Sequence, residues 1–96
     1  MNNKLFEMGS CVVTRAIAER MRESDAFATA IERCLQRHSA GDWGDALDEH
    51  DVAANTAALE HGDRLLSSYV LSDETKVWVI TEADRSVTTV LFPEDY

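Results

Sequence analysis

Val77-Trp78-Val79-Ile80 is the most apolar run in the chain, and it lies at the centre of the stretch from Arg64 to Phe92 that decides the fold. All four residues are β-branched or aromatic, the types that fit a pleated, half-buried surface. Alternation turns Val77 and Val79 to one face and Trp78 and Ile80 to the other, so the run reads as a central strand covered at least in part on both sides. It is too short for a helix, and nothing in it repeats at helical spacing. Leu65 to Leu71 and Val87 to Phe92 alternate in the same way and flank it. Ser72-Asp73-Glu74-Thr75 and Ala83-Asp84-Arg85-Ser86 are connections of hairpin length, rich in turn formers. Three strands and two tight turns make an antiparallel meander. Pro93, the only proline, falls just beyond it, where a missing N–H breaks no ladder bond.

A bare sheet needs a second layer to bury its apolar side. The upstream residues are patterned to supply one. Ser10 to Val13 reads as a further strand, with Thr14 as the N-cap of a helix over Arg15 to Arg22 that aligns Ile17 with Met21. Ser24-Asp25 opens a second helix, whose stripe of Phe27, Ile31, Cys34, Leu35 and His38 runs toward Gly41. Asp48 caps a third helix that ends at Gly62. The stripe of this helix is thin: Val52, Leu59 and alanines, with Asn55 among them. A buried amide needs partners, and the expectation is that Asn55 ties down the loop around Trp43. The fold class expected is α+β, with a three- to four-stranded antiparallel meander packed against about three helices.

Ninety-six residues make one domain, with no linker or internal repeat. A chain of this length buries roughly 60–65% of the surface its unfolded form exposes. Nine Lys and Arg against eighteen Asp and Glu leave a formal charge of −9. Unassisted binding to nucleic acid is disfavoured, because that affinity comes from cations releasing counterions. Anionic membranes are disfavoured likewise. No signal peptide or membrane span is legible, so a cytoplasmic setting with reduced thiols is expected. Cys11 and Cys34 read as buried small hydrophobes.

The charge is uneven. From Asp42 to Asp63 there are seven acids (Asp42, Asp45, Asp48, Glu49, Asp51, Glu60 and Asp63) and no Lys or Arg. Within this segment, Gly41-Asp42-Trp43-Gly44-Asp45 reads as a structured loop. Its tryptophan is either a core plug or a binding anchor, and the apolar payload of the ring favours the plug. A second cluster, Glu82, Asp84 and Arg85, shares one turn; it reads as an ion pair or as the seed of a small-ligand or enzyme site. Asp63-Arg64 and Asp84-Arg85 both flank the meander and are placed to pair across it. His38 with Asp42 and Asp45 is the one set able to approach a metal. The plainer reading of His38 is a helix-end histidine favoured by the dipole. His38, His50 and His61 have no ligand spacing, and phosphate loops, C-x-x-C pairs and nucleophile elbows are missing. No cofactor is implied.

Taken together, Gly41-Asp42-Trp43-Gly44-Asp45, Ala54-Asn55, Gly62-Asp63-Arg64-Leu65-Leu66-Ser67-Ser68-Tyr69 and Ile80-Thr81-Glu82-Ala83-Asp84-Arg85-Ser86-Val87-Thr88-Thr89 form a recognisable series. The chain from about Arg37 onward resembles a family of small plasmid-related proteins carried on plasmids, phages and integrative elements. Members often have glycine where this chain has Ala16. The resemblance implies a genetic setting rather than a mechanism. Some such proteins carry the label of a type I restriction subunit, but adenine methylation needs a glycine-rich cofactor turn and an Asn/Asp-Pro-Pro-aromatic motif. A chain whose single proline is Pro93 has neither. The functional expectation is a non-enzymatic acidic interaction protein of a mobile element, whose partner is a basic protein surface. Its sharper form is a DNA-mimicking counter-defence inhibitor of a restriction or CRISPR-type nuclease. The alternatives are an enzyme or ligand binder using Glu82, Asp84 and Arg85, and a homodimer through an open sheet edge.

Overall fold

The computed structural model describes residues 4–44 and 46–96. In chain order the elements are strand β1 (Ser10–Val13), helices α1 (Arg15–Glu23), α2 (Asp25–Ser39) and α3 (Glu49–His61), strands β2 (Leu65–Val70), β3 (Lys76–Thr81) and β4 (Val87–Leu91), and a closing 3₁₀ turn (Pro93–Asp95). The class is α+β, as the hydrophobic patterning implies.

The four strands form one sheet in the order β1-β4-β3-β2. The meander is antiparallel throughout, but β1 joins β4 in parallel, with Ser10 opposite Val87 and Val13 opposite Val90. The sheet is therefore mixed, which corrects the purely antiparallel expectation. Alternation within Ser10–Val13 identifies a strand but carries no information on its direction relative to a neighbour far along the chain.

Both hairpins are built from one local device. Asp73 accepts the Thr75 N–H and Asp84 accepts the Ser86 N–H, and the residues between, Glu74 and Arg85, take φ of 69° and 61°. Asp-x-Thr and Asp-x-Ser turns thus supply an acceptor two residues back and tolerate a left-handed residue without glycine.

Capping follows the side-chain chemistry. Thr14 accepts the Ile17 N–H, Ser24 the Phe27 N–H and Asp48 the Asp51 N–H. Ser24 also donates its own N–H to the Arg20 carbonyl, so one residue ends α1 and begins α2. One sheet face meets these two helices. Ile17, Phe27, Ile31 and Cys34 pack on Tyr69, Val77, Val79 and Val90. Full burial of each large apolar side chain contributes roughly 1.5–3 kcal/mol.

A second cluster joins Trp43, Ala58 and Leu65, with Phe6, Leu47 and Leu59 packed around it. Trp43 is 9% exposed and plugs the core, as its bulk suggests. The inner side of α3 is Asn55 and Ala58, while Val52 is 38% exposed. The expectation for Val52 is thereby corrected: alanine lets α3 approach closely, and the larger valine falls outside the contact.

The other sheet face bears Val12, Leu66, Trp78, Ile80 and Thr89. The C-terminal turn partly covers it, with the Tyr96 and Trp78 rings edge to face at 5.8 Å.

Candidate functional site

The acidic segment forms the end of the molecule next to β2. Three contacts fix α3 there. The Asn55 amide donates to the Leu66 carbonyl at 2.6 Å and accepts the Leu66 N–H at 3.0 Å. Beside it, the Trp43 carbonyl accepts the Ser68 N–H at 3.0 Å. Asn55 therefore ties the edge of β2, not the tryptophan loop as expected, and the loop takes the next position along the same edge. Gly44 makes the approach feasible: at φ +86° it lies so close to the Ser68 carbonyl that a Cβ would overlap it.

Arg85 supplies the third contact. Its guanidinium donates to the carbonyls of Asp63, Glu82 and Ala83 and, at the end of α3, to that of Ala58. It also lies 5.7 Å from the Phe6 ring centroid. Among the described residues it has no ion pair with Glu82 or Asp84, both of which are exposed. Asp84 is spent on the Ser86 N–H and hydroxyl, which hold its carboxyl below the usual range. Glu82 and Asp84 thus point to solvent while Arg85 turns inward, and the Asp63–Arg85 pairing is made through the main chain.

Of the described acids between Asp42 and Asp63, Asp42 has a cationic partner. Arg37 binds it with two nitrogens at 2.7 and 3.1 Å, and this hydrogen bonding holds its carboxyl below the ordinary value. Asp48, Glu49, Glu60 and Asp63 are exposed, Asp51 is half-buried, and none has a salt bridge to a described residue. Glu49 and Glu60 share one outward line of α3, about three turns apart. Asp45 lies outside the described residues. Trp43, being interior, is not a contact residue.

The polar cluster that sequence reasoning missed is internal. His38 lies in the last turn of α2, as expected of a helix-end histidine, and is fully buried. Its Nδ1 meets the Ser67 hydroxyl and its Nε2 the Thr81 hydroxyl at 2.9 Å. Thr81 and Thr88 hydroxyls are 2.7 Å apart, and Thr88 donates to the Met8 carbonyl. The proton directions follow by elimination. The one hydrogen of Thr88 goes to Met8, so Thr81 donates to Thr88, and His38 must donate from Nε2 to Thr81. Its Nδ1 then accepts from Ser67. Burial, and secondarily the charge of Arg85, lower the His38 pKa from 6.5 to about 4, so the ring is neutral at pH 7.

A serine hydroxyl on a histidine nitrogen has the outline of a nucleophile and base. The outline is not a site here: Ser67 and His38 are both at 0% exposure, and the second nitrogen faces a threonine instead of a carboxylate. Both nitrogens are also committed, which leaves none for a metal. The available signal was the inward phase of Ser67, Thr81 and Thr88, three hydroxyls on the core face of their strands. Inward hydroxyls need a partner, and His38 lies on the α2 stripe that faces them.

Comparison of the chain with protein-family models, curated proteins and solved structures finds no match in any of the three.

A cavity of about 310 Å³ opens between α1, α2 and the β2–β3 hairpin, lined by Arg20, Phe27, Leu71 and Asp73 among others. Its one cation is engaged: Arg20 pairs with Asp73 at 2.8 Å and donates to Thr75 at 3.1 Å. Among the described residues, no helix is long and apolar enough to cross a membrane.

Proposed function

We propose that this chain is a non-enzymatic acidic interaction protein of a mobile genetic element, which offers α3 and its flanks to a basic protein surface. The observation that carries the reading is the set of exposed acids along α3 and its flanks: Asp48 at the N-cap, Glu49 and Glu60 on one outward line, and Asp63 just past Gly62. None is in a salt bridge to a described residue, and the helix is anchored by Asn55 and Arg85. Unpaired charge on a fixed helix speeds encounter with an opposite charge, at a rate that falls with salt. Asp42 contributes less, since Arg37 already neutralises it.

The sharper form is counter-defence. A line of carboxylates on a rigid element stands in for DNA phosphates and occupies the groove of a restriction or CRISPR-type nuclease. The resemblance to plasmid-related proteins supplies the setting for that idea. The test is inhibition of DNA cleavage by such nucleases over a range of salt, with Glu49→Lys/Glu60→Lys as the comparison. Inhibition that weakens with salt and is lost in the variant, with its circular dichroism unchanged, supports the reading. Inhibition indifferent to both removes the phosphate-mimic form.

A further inference from the structure

We propose that the open edge of β1 binds β1 of a second copy of this chain, antiparallel about Val12, joining two four-stranded sheets into one. The inference is independent of what α3 binds. It begins with main-chain direction. Ser10 donates its N–H to the Ser86 carbonyl and Thr14 to the Val90 carbonyl. In a parallel ladder the residues between alternate, so Val12 also faces β4, while Cys11 and Val13 turn their N–H and C=O groups outward. Among the described residues no hydrogen bond reaches those four groups.

The opposite edge of the sheet is closed by Asn55 and Trp43, so β1 is the edge left for pairing. Proteins that keep an edge solitary place lysine, proline or a bulge on it. Ser10-Cys11-Val12-Val13 has no charge and no proline, and it pairs with β4 without a break in register. Its outer face adds Val12, a valine 43% exposed. A two-fold axis through Val12 lets Cys11 of each copy exchange both main-chain bonds with Val13 of the other. It also sets the two Val12 side chains against each other in the close, non-hydrogen-bonded pairing.

The outward groups of Cys11 and Val13 are self-complementary about Val12, and the charge distribution allows the occupant to be this same chain. A protein of net charge −9 repels itself in general, but seven of its acids lie between Asp42 and Asp63, and α3 packs on β2 at the far end of the sheet. Along the chain from Lys4 to Arg15 the charges are Lys4, Glu7 and Arg15, with Lys4 and Glu7 paired at 3.2 Å. Asp95 is the acid brought against this end of β1, accepting from the Thr14 hydroxyl at 2.8 Å. Joined at β1, the two copies hold their β2 strands seven strand spacings apart, roughly 33 Å. That is well beyond the screening length of about 8 Å at physiological salt. The strand order thus allows an acidic chain to self-associate without bringing its acidic ends together.

The test is sedimentation velocity of the full chain from low to high concentration. The expected result is a shift from the 10.7 kDa monomer toward twice that mass. Cys11→Pro removes an outward N–H and no inward ladder bond, and Val12→Lys puts a charge on the pairing axis; each is expected to stay monomeric with unchanged circular dichroism. Should Cys11→Pro fail to fold, Val12→Lys decides. A wild-type chain that remains monomeric at every concentration overturns the proposal, and so does a folded Val12→Lys chain that dimerises as the wild type does.

Discussion

The two edges of the sheet are finished in opposite ways. At β2, the Asn55 side chain imitates a neighbouring strand, offering one donor and one acceptor to Leu66, and the Trp43 carbonyl satisfies Ser68. At β1, the outward groups of Cys11 and Val13 make no hydrogen bond to a described residue. The difference shows that a strand edge can be closed by side-chain chemistry from a helix, without a further strand. It also puts the acidic helix on the closed edge, because the residue that seals β2 belongs to α3. Between the edges runs the buried chain from Ser67 on β2 through His38, Thr81 and Thr88 to Met8, just ahead of β1.

The sharpest way to erase the contrast is Asn55→Ala, which leaves the Leu66 N–H and C=O at a half-buried edge without partners. An unmet buried group costs about 1–3 kcal/mol, so a loss on the order of 3 kcal/mol is expected in denaturant unfolding, together with a greater tendency to associate through β2. A loss under about 0.5 kcal/mol would mean that Asn55 does not seal the edge.

Acid probes the chain between the edges. The folded pKa of His38 lies near 4 and its unfolded value near 6.5. Above pH 6.5 both states are neutral and His38 adds no pH dependence. Below it the unfolded chain takes up a proton that the folded chain refuses, so stability falls as pH drops from 6.5 to 4 and levels off beneath. The full difference corresponds to about 3 kcal/mol. His38→Gln, which cannot titrate, is expected to flatten this part of the curve measured by unfolding at a series of pH values. An unchanged slope would assign it to other groups.

Asp48→Ala sharpens the view of how α3 is held. It removes the acceptor for the Asp51 N–H and should cost about 1 kcal/mol by thermal unfolding. Because Asn55 and Arg85 anchor the other turns, hydrogen exchange is expected to quicken at the start of α3 and not at its end. Uniform quickening along α3 would mean that the cap, not the edge contacts, holds the helix. At the small end of the scale, Val12→Lys should change monomer stability by under about 0.5 kcal/mol, because Val12 is largely outside the core. A larger loss in dilute protein would show that β1 is packed more tightly than its exposure indicates.

Much of this architecture can be read from the residues. Thr14, Ser24 and Asp48 announce three helix starts, and alternation around Trp78 announces the meander. Pairing of β1 with β4 cannot be read, because strand direction is set by packing between distant segments and leaves no local mark. The inner side of α3 was misjudged at Val52 because small residues, not large ones, make its contact. Cys11 was expected to be buried, yet it is exposed: its apolar-looking strand is an edge whose neighbours alternate poorly between core and solvent. Asn55 was recognisable as a buried amide in need of partners, but its partner was not, since Leu66 and the Trp43 loop are both within reach of an edge-seeking side chain. Arg85 looked available for chemistry because sequence shows its charge and conceals the four carbonyls around it.

Residue-resolved hydrogen exchange in dilute protein compares the two edges in one experiment. The Leu66 and Ser68 amides, bonded outward to Asn55 and Trp43, should exchange slowly, and the Cys11 and Val13 amides at rates close to those of an open chain. Leu66 and Ser68 exchanging as fast as Cys11 and Val13 would show that β2 is as open as β1, and that α3 does not close the sheet.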